Sequence, residues 1–160
     1  VSEVPINGTD WLPTFSSVAG VDLPTDRPID GVNVLPALTK GRSVHRPTPL
    51  LWWLWHARGG YEVAMRDGDY KLLATMVPQA KPGEIADAAV PDGWSIMEFI
   101  KKADLDRFEM FNLVRDPSET TNLVSADPKR FDRLRQRMIK LHAEIRAEGP
   151  EYVLGRAKKK

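Results

Sequence analysis

The chain lacks cysteine altogether. Disulfide bonds and thiolate metal sites are therefore excluded, but the cellular compartment stays open because many exported proteins also lack disulfides. Long apolar runs are missing too, since the longest extends only from Leu50 to Trp55, far below the ~20 residues of a membrane helix. We therefore expect no membrane partner.

The chain also lacks an excess of one charge. Its 23 basic and 22 acidic residues give a formal net charge of +1, which provides no reason to expect a nucleic-acid partner. The basic run from Arg156 to Lys160 is short and terminal, as in a solvated tail. The first residues include no initiator methionine, basic start or apolar stretch. We therefore expect no signal peptide and interpret the chain as a processed form or a fragment.

The first third of the chain predicts little regular structure. Thr9 is suited to cap a helix over residues 9–19, and Gly20 is suited to end it. Prolines interrupt residues 20–49, which leaves room for one helical turn over residues 34–38. A stretch of this kind is typical of a segment that crosses the surface of a larger body.

The middle of the chain predicts a sheet. The apolar run at residues 50–55 predicts a strand buried on both faces. Residues 61–66 and 69–76 form the clearest signal, because Asp67-Gly68 between them is a dipeptide of the type I′ hairpin turn. With Arg66 opposite Asp69, one face of the hairpin holds the pairs Met65/Tyr70, Val63/Leu72 and Tyr61/Ala74.

The last part predicts two helices around a further strand. A short helix is expected over residues 94–101 and a strand over 108–113. Asp127 and Pro128 then have the order of a helix cap and a first helical residue, and Gly149-Pro150 ends that helix. Its apolar residues step by three and four, with charged residues opposite. The elements together predict an α+β fold in which a C-terminal amphipathic helix covers a small antiparallel sheet.

The three histidines are the first candidates for chemistry. His142 lies beside the apolar stripe of the last helix, which favours a packing role, and His45 lies in a loop that we expect to be exposed. His56 leaves the tryptophan-rich strand and is followed by Arg58. Such a position presents an imidazole to an anionic ligand in a cleft, so His56 is the candidate substrate-binding residue. A structural or solvent-facing role is its alternative.

Other patterns provide no active site. No histidine pair has the spacing of a zinc helix, and no glycine-rich phosphate loop is present. Asp67-Gly68-Asp69 lacks the later glutamate of a calcium loop, so turn formation explains it better. Trp52, Trp53 and Trp55 are suited to stack on sugar rings, but their place in one apolar run favours core packing. We predict no catalytic residue and no metal ligand in this chain.

Six phrases in order resemble a known family. Each is weak alone, but their sequence along residues 9–123 resembles that of sulfatases. They are Thr9 to Phe15 with Val18-Ala19-Gly20; Asp26 to Val32 with Leu35 to Leu38; Arg46-Pro47 with Leu50 to Trp55; Ala64 to Leu72; Glu109 to Leu113; and Asp116 to Glu119 with Thr121 to Leu123. Within the family, the resemblance is nearest to arylsulfatases of the N-acetylgalactosamine-6-sulfatase-like group in the alkaline-phosphatase superfamily.

The resemblance implies an enzyme that hydrolyses sulfate monoesters of sulfated carbohydrates. In that family the reacting group is a formylglycine made from the Cys or Ser of a C/S-x-P-x-R motif, and Asp and Asn side chains hold calcium. No such motif occurs in this chain. The implied formylglycine and calcium therefore belong to the intact enzyme, and this chain alone is expected to be inactive. A periplasmic or secreted location is suggested by the resemblance only.

The resemblance also implies a domain plan. Residues 1–42 correspond to the last helix and exit loop of a large α/β catalytic domain, and residues 43–160 to the C-terminal subdomain. The implied partners are the missing N-terminal catalytic domain and a sulfated small molecule or glycan. Two alternatives stay open: a non-catalytic carbohydrate-binding module that uses Trp52, Trp53, Trp55 or Trp94, and the C-terminal part of a related phosphoesterase.

Overall fold

The structure is a computed structural model that describes residues 3–57, 60–78 and 96–149, without the side chains of residues 55–57, 60, 96 and 97. The chain divides into two units, Val1–Leu50 and Leu51–Lys160. The first unit holds a 3-10 turn at Gly8–Asp10 and two helices, α1 at Trp11–Ala19 and α2 at Leu35–Lys40. The domain plan with a boundary after residue 42 stays a prediction.

The start of the first helical segment differs from the sequence prediction in its cap. Asn7, and not Thr9, caps the segment, because the Asn7 side chain accepts a hydrogen bond from the Thr9 amide at 2.8 Å. Asp10 completes a reciprocal arrangement by accepting a hydrogen bond from the Asn7 amide. Gly20 ends α1 as predicted, in the left-handed region at φ 68°.

The second unit is built on a four-stranded sheet with the order β1-β2-β3-β4. The elements are β1 at Leu50–Ala57, β2 at Gly60–Asp67, β3 at Tyr70–Val77, α3 at Ile96–Lys102, β4 at Asp104–Asn112 and α4 at Pro128–Glu148. The predicted strand at 108–113 thus begins four residues earlier. The predicted helix at 94–101 corresponds to α3, and its first two residues lie outside the described ranges.

The β2–β3 hairpin forms, but the predicted turn and register are wrong. The turn residues are Gly68 and Asp69, and Met65 pairs with Leu72 where the sequence predicted Tyr70. Gly68 has φ 59° while Asp69 does not have a positive φ, which is the pattern of a type II′ turn. The register moves by two residues, and an even shift keeps each side chain on its predicted face.

The prediction that β1 is buried on both faces is also wrong. Leu51 and Trp53 pack against the core, whereas Trp52 and Leu54 are 38% and 39% exposed. Successive side chains of a strand point to opposite faces, and only one face of β1, which is one of the two edge strands, packs on the core.

Helix α4 closes the core, as its spacing predicted. Asp127 caps it by accepting a hydrogen bond from the Arg130 amide at 3.1 Å, and Pro128 is its first residue. Leu134 and Met138 pack against the inner face of the sheet, whose buried residues include Val63, Met65, Leu72, Ala74, Met76 and Met110. The predicted α+β fold is confirmed. None of the described helices combines the length and apolarity required to cross a bilayer.

Candidate functional site

His56, the candidate substrate-binding residue, belongs to β1. Its side chain lies outside the described residues, so its role stays a prediction. His45 is exposed, as expected for a loop residue. His142 is buried with 2% exposure, which agrees with a packing role. The strongest polar arrangements occur elsewhere, at residues that belong to the sulfatase-like phrases.

Asp10 is the centre of the first arrangement. Its carboxylate is 1% exposed and accepts hydrogen bonds from both terminal nitrogens of Arg46, at 2.8 and 2.7 Å. It also accepts bonds from the amides of Val32 and Asn7. Burial alone raises the pKa of Asp10, but the bonds from Arg46 and from the two amides outweigh it and hold this pKa below its ordinary value.

Two further residues of the same unit depend on that centre. The Thr14 hydroxyl donates a hydrogen bond to the Asp10 carbonyl at 2.6 Å and accepts one from the Val34 amide at 3.0 Å. Gly31 passes so close to the preceding segment that a Cβ would lie 2.0 Å from the carbonyl oxygen of Thr9. The aspartate, threonine and glycine of the first two phrases are thus used to join α1 to the loop before α2.

Lys71 and Glu119 form the second arrangement, in the other unit. The Lys71 ammonium lies 2.7 Å from both carboxylate oxygens of Glu119, and both side chains are about three-quarters buried, at 24% and 21% exposure. Glu119 has φ 54°, a left-handed conformation that a non-glycine residue rarely adopts. The ion pair fastens the loop after β4 to β3, across 48 positions of sequence.

The loop after β4 is held by three further side chains. Asn112 accepts hydrogen bonds from the amides of Val114 and Arg115, and Asp116 accepts them from two later amides. Asn122 accepts a bond from the Met110 amide at 3.2 Å and so returns the loop to β4. Asparagine and aspartate have this function in turns because their short side chains reach nearby amides.

His142 marks a buried polar cluster between β1 and α4. Its ring lies 6.1 Å from that of Trp53, centroid to centroid, and neither the His142 Nε2 nor the Trp53 Nε1 has a hydrogen-bond partner among the described residues. Arg146, one turn later, donates a hydrogen bond to the Ala103 carbonyl at 2.6 Å. Burial, with the nearby Arg146 charge, lowers the pKa of His142 to about 4.

The described acidic side chains do not fit a calcium site. Within residues 3–57, 60–78 and 96–149, no three His, Asp or Glu side chains converge as metal ligands would. Asp10 and Asp67 are occupied by arginines, and Asp116 by backbone amides. These three aspartates therefore stabilise a turn or join two elements of the fold.

Comparisons with known proteins were made both by sequence and by fold. No family model matches the chain. A segment of 62 residues, 39% of the chain, is 39% identical to the N-acetylgalactosamine-6-sulfatase of Sus scrofa and covers 11% of that protein. The structure of Ps i-CgsB in complex with k-i-k-neocarrahexaose aligns with 87% of the chain at 20% identity and a TM-score of 0.57. The predicted resemblance to sulfatases is confirmed.

A third protein extends the similarity to a substrate complex. The structure of BT4656 with its substrate D-glucosamine-2-N,6-O-disulfate aligns with 84% of the chain at 20% identity and a TM-score of 0.50. The chain spans about a quarter of each of these two solved chains, 24% in both cases. The similarity is consistent with a C-terminal segment of a sulfatase.

Proposed function

We propose that this chain is the supporting C-terminal part of a sulfatase, and that the intact enzyme hydrolyses sulfate monoesters. One observation carries the proposal: four charged residues of the sulfatase-like phrases, each at least partly buried, are used in two ion pairs within the chain. Asp10 is enclosed by Arg46, and Lys71 by Glu119. A segment whose shared residues serve folding is expected to contribute shape to an enzyme and to leave bond cleavage to other residues.

Sulfated carbohydrates are the proposed substrate class. Two of the similar proteins point in this direction by name, one as an N-acetylgalactosamine-6-sulfatase and one by its complex with a disulfated glucosamine. A third was solved with a neocarrahexaose.

The reactive groups are proposed to lie in a catalytic domain outside this chain. A formylglycine is expected there as nucleophile, and a calcium ion is expected to neutralise the sulfate charge. The described acidic residues of this chain do not fit a calcium site, which supports the proposal that the calcium ligands lie outside the described part of the chain.

The outer face of α1 supports docking against such a domain. Its large apolar side chains are exposed, with Phe15 at 62% and Val18 at 64%, whereas Pro13 and Thr14 are buried. Trp11 stacks on Phe15 with ring centroids 5.5 Å apart, which makes the exposed apolar surface continuous. Exposed apolar surfaces of this kind are typical of interfaces between domains. The proposed occupant is the remainder of the catalytic domain, to whose end the domain plan assigns residues 1–42.

The decisive experiment compares the 160-residue chain with the protein encoded when the upstream coding sequence is included. The longer protein is expected to contain the C/S-x-P-x-R motif and to release sulfate from N-acetylgalactosamine 6-sulfate and 4-nitrophenyl sulfate. The short chain is expected to release none. Sulfate release by the short chain would contradict the proposal, and preferential hydrolysis of 4-nitrophenyl phosphate by the longer protein would favour the phosphoesterase alternative.

The carbohydrate-binding alternative is weakened by the sheet geometry. Trp52 is exposed while Trp53 packs into the core, so these two rings lie on opposite faces of β1 and do not form one stacking platform. The side chains of Trp55 and Trp94 lie outside the described residues.

A further inference from the structure

Helix α4 carries five basic side chains in one sector of its surface. At 100° per residue they fall within about 100° of arc, and from the first to the last they extend for about 16 Å along the axis. We call them the basic stripe; they are Lys129, Arg130, Arg133, Arg137 and Lys140. Among them, Lys129, Arg133 and Lys140 are exposed.

The basic stripe faces solvent because other residues of α4 are packed in the core. Leu134, Met138 and His142 occupy the opposite side and are buried against the sheet. The apolar side of α4 is therefore already used by the core. An amphipathic helix binds a membrane surface through a free apolar side, so this helix is not suited to do so.

Nearby carboxylates neutralise only part of the stripe. Arg130 pairs with Asp127 at 2.7 Å, Arg137 pairs with Asp67, and Lys140 lies 3.8 Å from Glu144. Lys129 and Arg133 are exposed and form no hydrogen bond or close ion pair within the described ranges, although the Arg133 charge acts on the Asp127 carboxylate from farther away. Both side chains are therefore available to a ligand. The Arg130 guanidinium also lies 4.3 Å above the Tyr70 ring, which holds it in place.

We propose that the basic stripe binds a sulfated polysaccharide along α4, as a contact additional to the catalytic cleft. The inference rests on the proposed function for its substrate class. Lys129, Arg133, Arg137 and Lys140 follow one another at about one helical turn, which complements a chain whose sulfates recur along its length. Guanidinium groups bind oxyanions through paired N–H donors. The Tyr70 ring lies beside the stripe, but the Arg130 guanidinium covers one of its faces, so a base cannot stack there. This arrangement disfavours single-stranded nucleic acid.

Removal of charge from the stripe tests the proposal. The variant Lys129→Gln/Arg133→Gln/Lys140→Gln removes three exposed charges, and Lys40→Gln/Arg42→Gln/Arg115→Gln removes three exposed charges elsewhere. Both variants therefore have the same net charge. Binding of the 160-residue chain and both variants to dextran sulfate is measured by isothermal titration calorimetry at two salt concentrations, with unsulfated dextran and polyuridylate of similar length as comparison ligands.

The chain is expected to bind dextran sulfate, more weakly at higher salt, and to ignore unsulfated dextran. The stripe variant should bind at least about ten-fold more weakly, while the control variant should stay within about two-fold. Equal weakening by both variants, equal binding of polyuridylate, or no binding at all would overturn the proposal. Sulfate release by the longer protein is a separate measurement, so failure of the stripe is distinguished from failure of the proposed function.

Discussion

Replacement of His142 by glutamine gives a sharp test of the buried cluster, because this histidine is held neutral. Its pKa of about 4 lies below the ordinary histidine value of 6.5. The unfolded chain therefore takes up a proton at a higher pH than the folded chain does. The contribution of neutral, buried His142 to the free energy of unfolding is fully present above pH 6.5 and is lost progressively as the pH falls toward 4.

The two pKa values give the size of the effect. Relative to pH 7, linkage at this single site lowers the free energy of unfolding by about 2 kcal/mol at pH 5 and by about 3 kcal/mol at pH 4. His142→Gln removes the titration and is expected to flatten the pH dependence by these amounts, whatever its effect at pH 7. His45→Gln, at an exposed site, is the matched histidine control.

Urea unfolding at several pH values, followed through the amide signals of α4, measures this difference. A titration of the His142 ring signals by nuclear magnetic resonance gives its pKa directly. If wild type and His142→Gln lose stability in parallel between pH 7 and pH 4, the histidine is not buried as a neutral group and the argument is wrong.

Two further predictions concern the first unit. Gly31→Ala should destabilise it by more than ~3 kcal/mol, because the new Cβ would lie 2.0 Å from a backbone oxygen. Gly8→Ala, where no atom lies within 4 Å, should change stability by less than ~1 kcal/mol in the same thermal-unfolding assay, and equal losses would refute the steric explanation. Arg46→Ala should cost about 3 kcal/mol, because it leaves the buried Asp10 carboxylate without its cation, whereas Arg42→Ala at an exposed site should be nearly neutral. Amide hydrogen exchange in α1 measures the effect, and similar exchange in both arginine variants would contradict the role of the pair.

Two ion pairs give a structural role to the sulfatase-like phrases that contain them. Lys71 and Glu119 lie in different phrases, and so do Asp10 and Arg46, yet each pair meets in the fold. These four phrases therefore each contain a residue that takes part in a long-range contact. Removal of one member of such a pair would leave the other charge buried or partly buried without its partner, which is strongly destabilising.

Local periodicity by itself determined the faces of the elements. The steps of three and four residues in α4 placed Leu134 and Met138 in the core, and alternation in the hairpin assigned each side chain to its face, because burial follows the geometric repeat of the element. The cap at Asn7, the turn at Gly68-Asp69 and the exposure of Trp52 were decided only in the tertiary structure. Each depends on competition between neighbouring backbone groups or on the place of a strand in the sheet, and a local pattern contains neither. The same holds for Arg46 on Asp10, 36 residues apart, since the chain must fold before two such distant charges can meet.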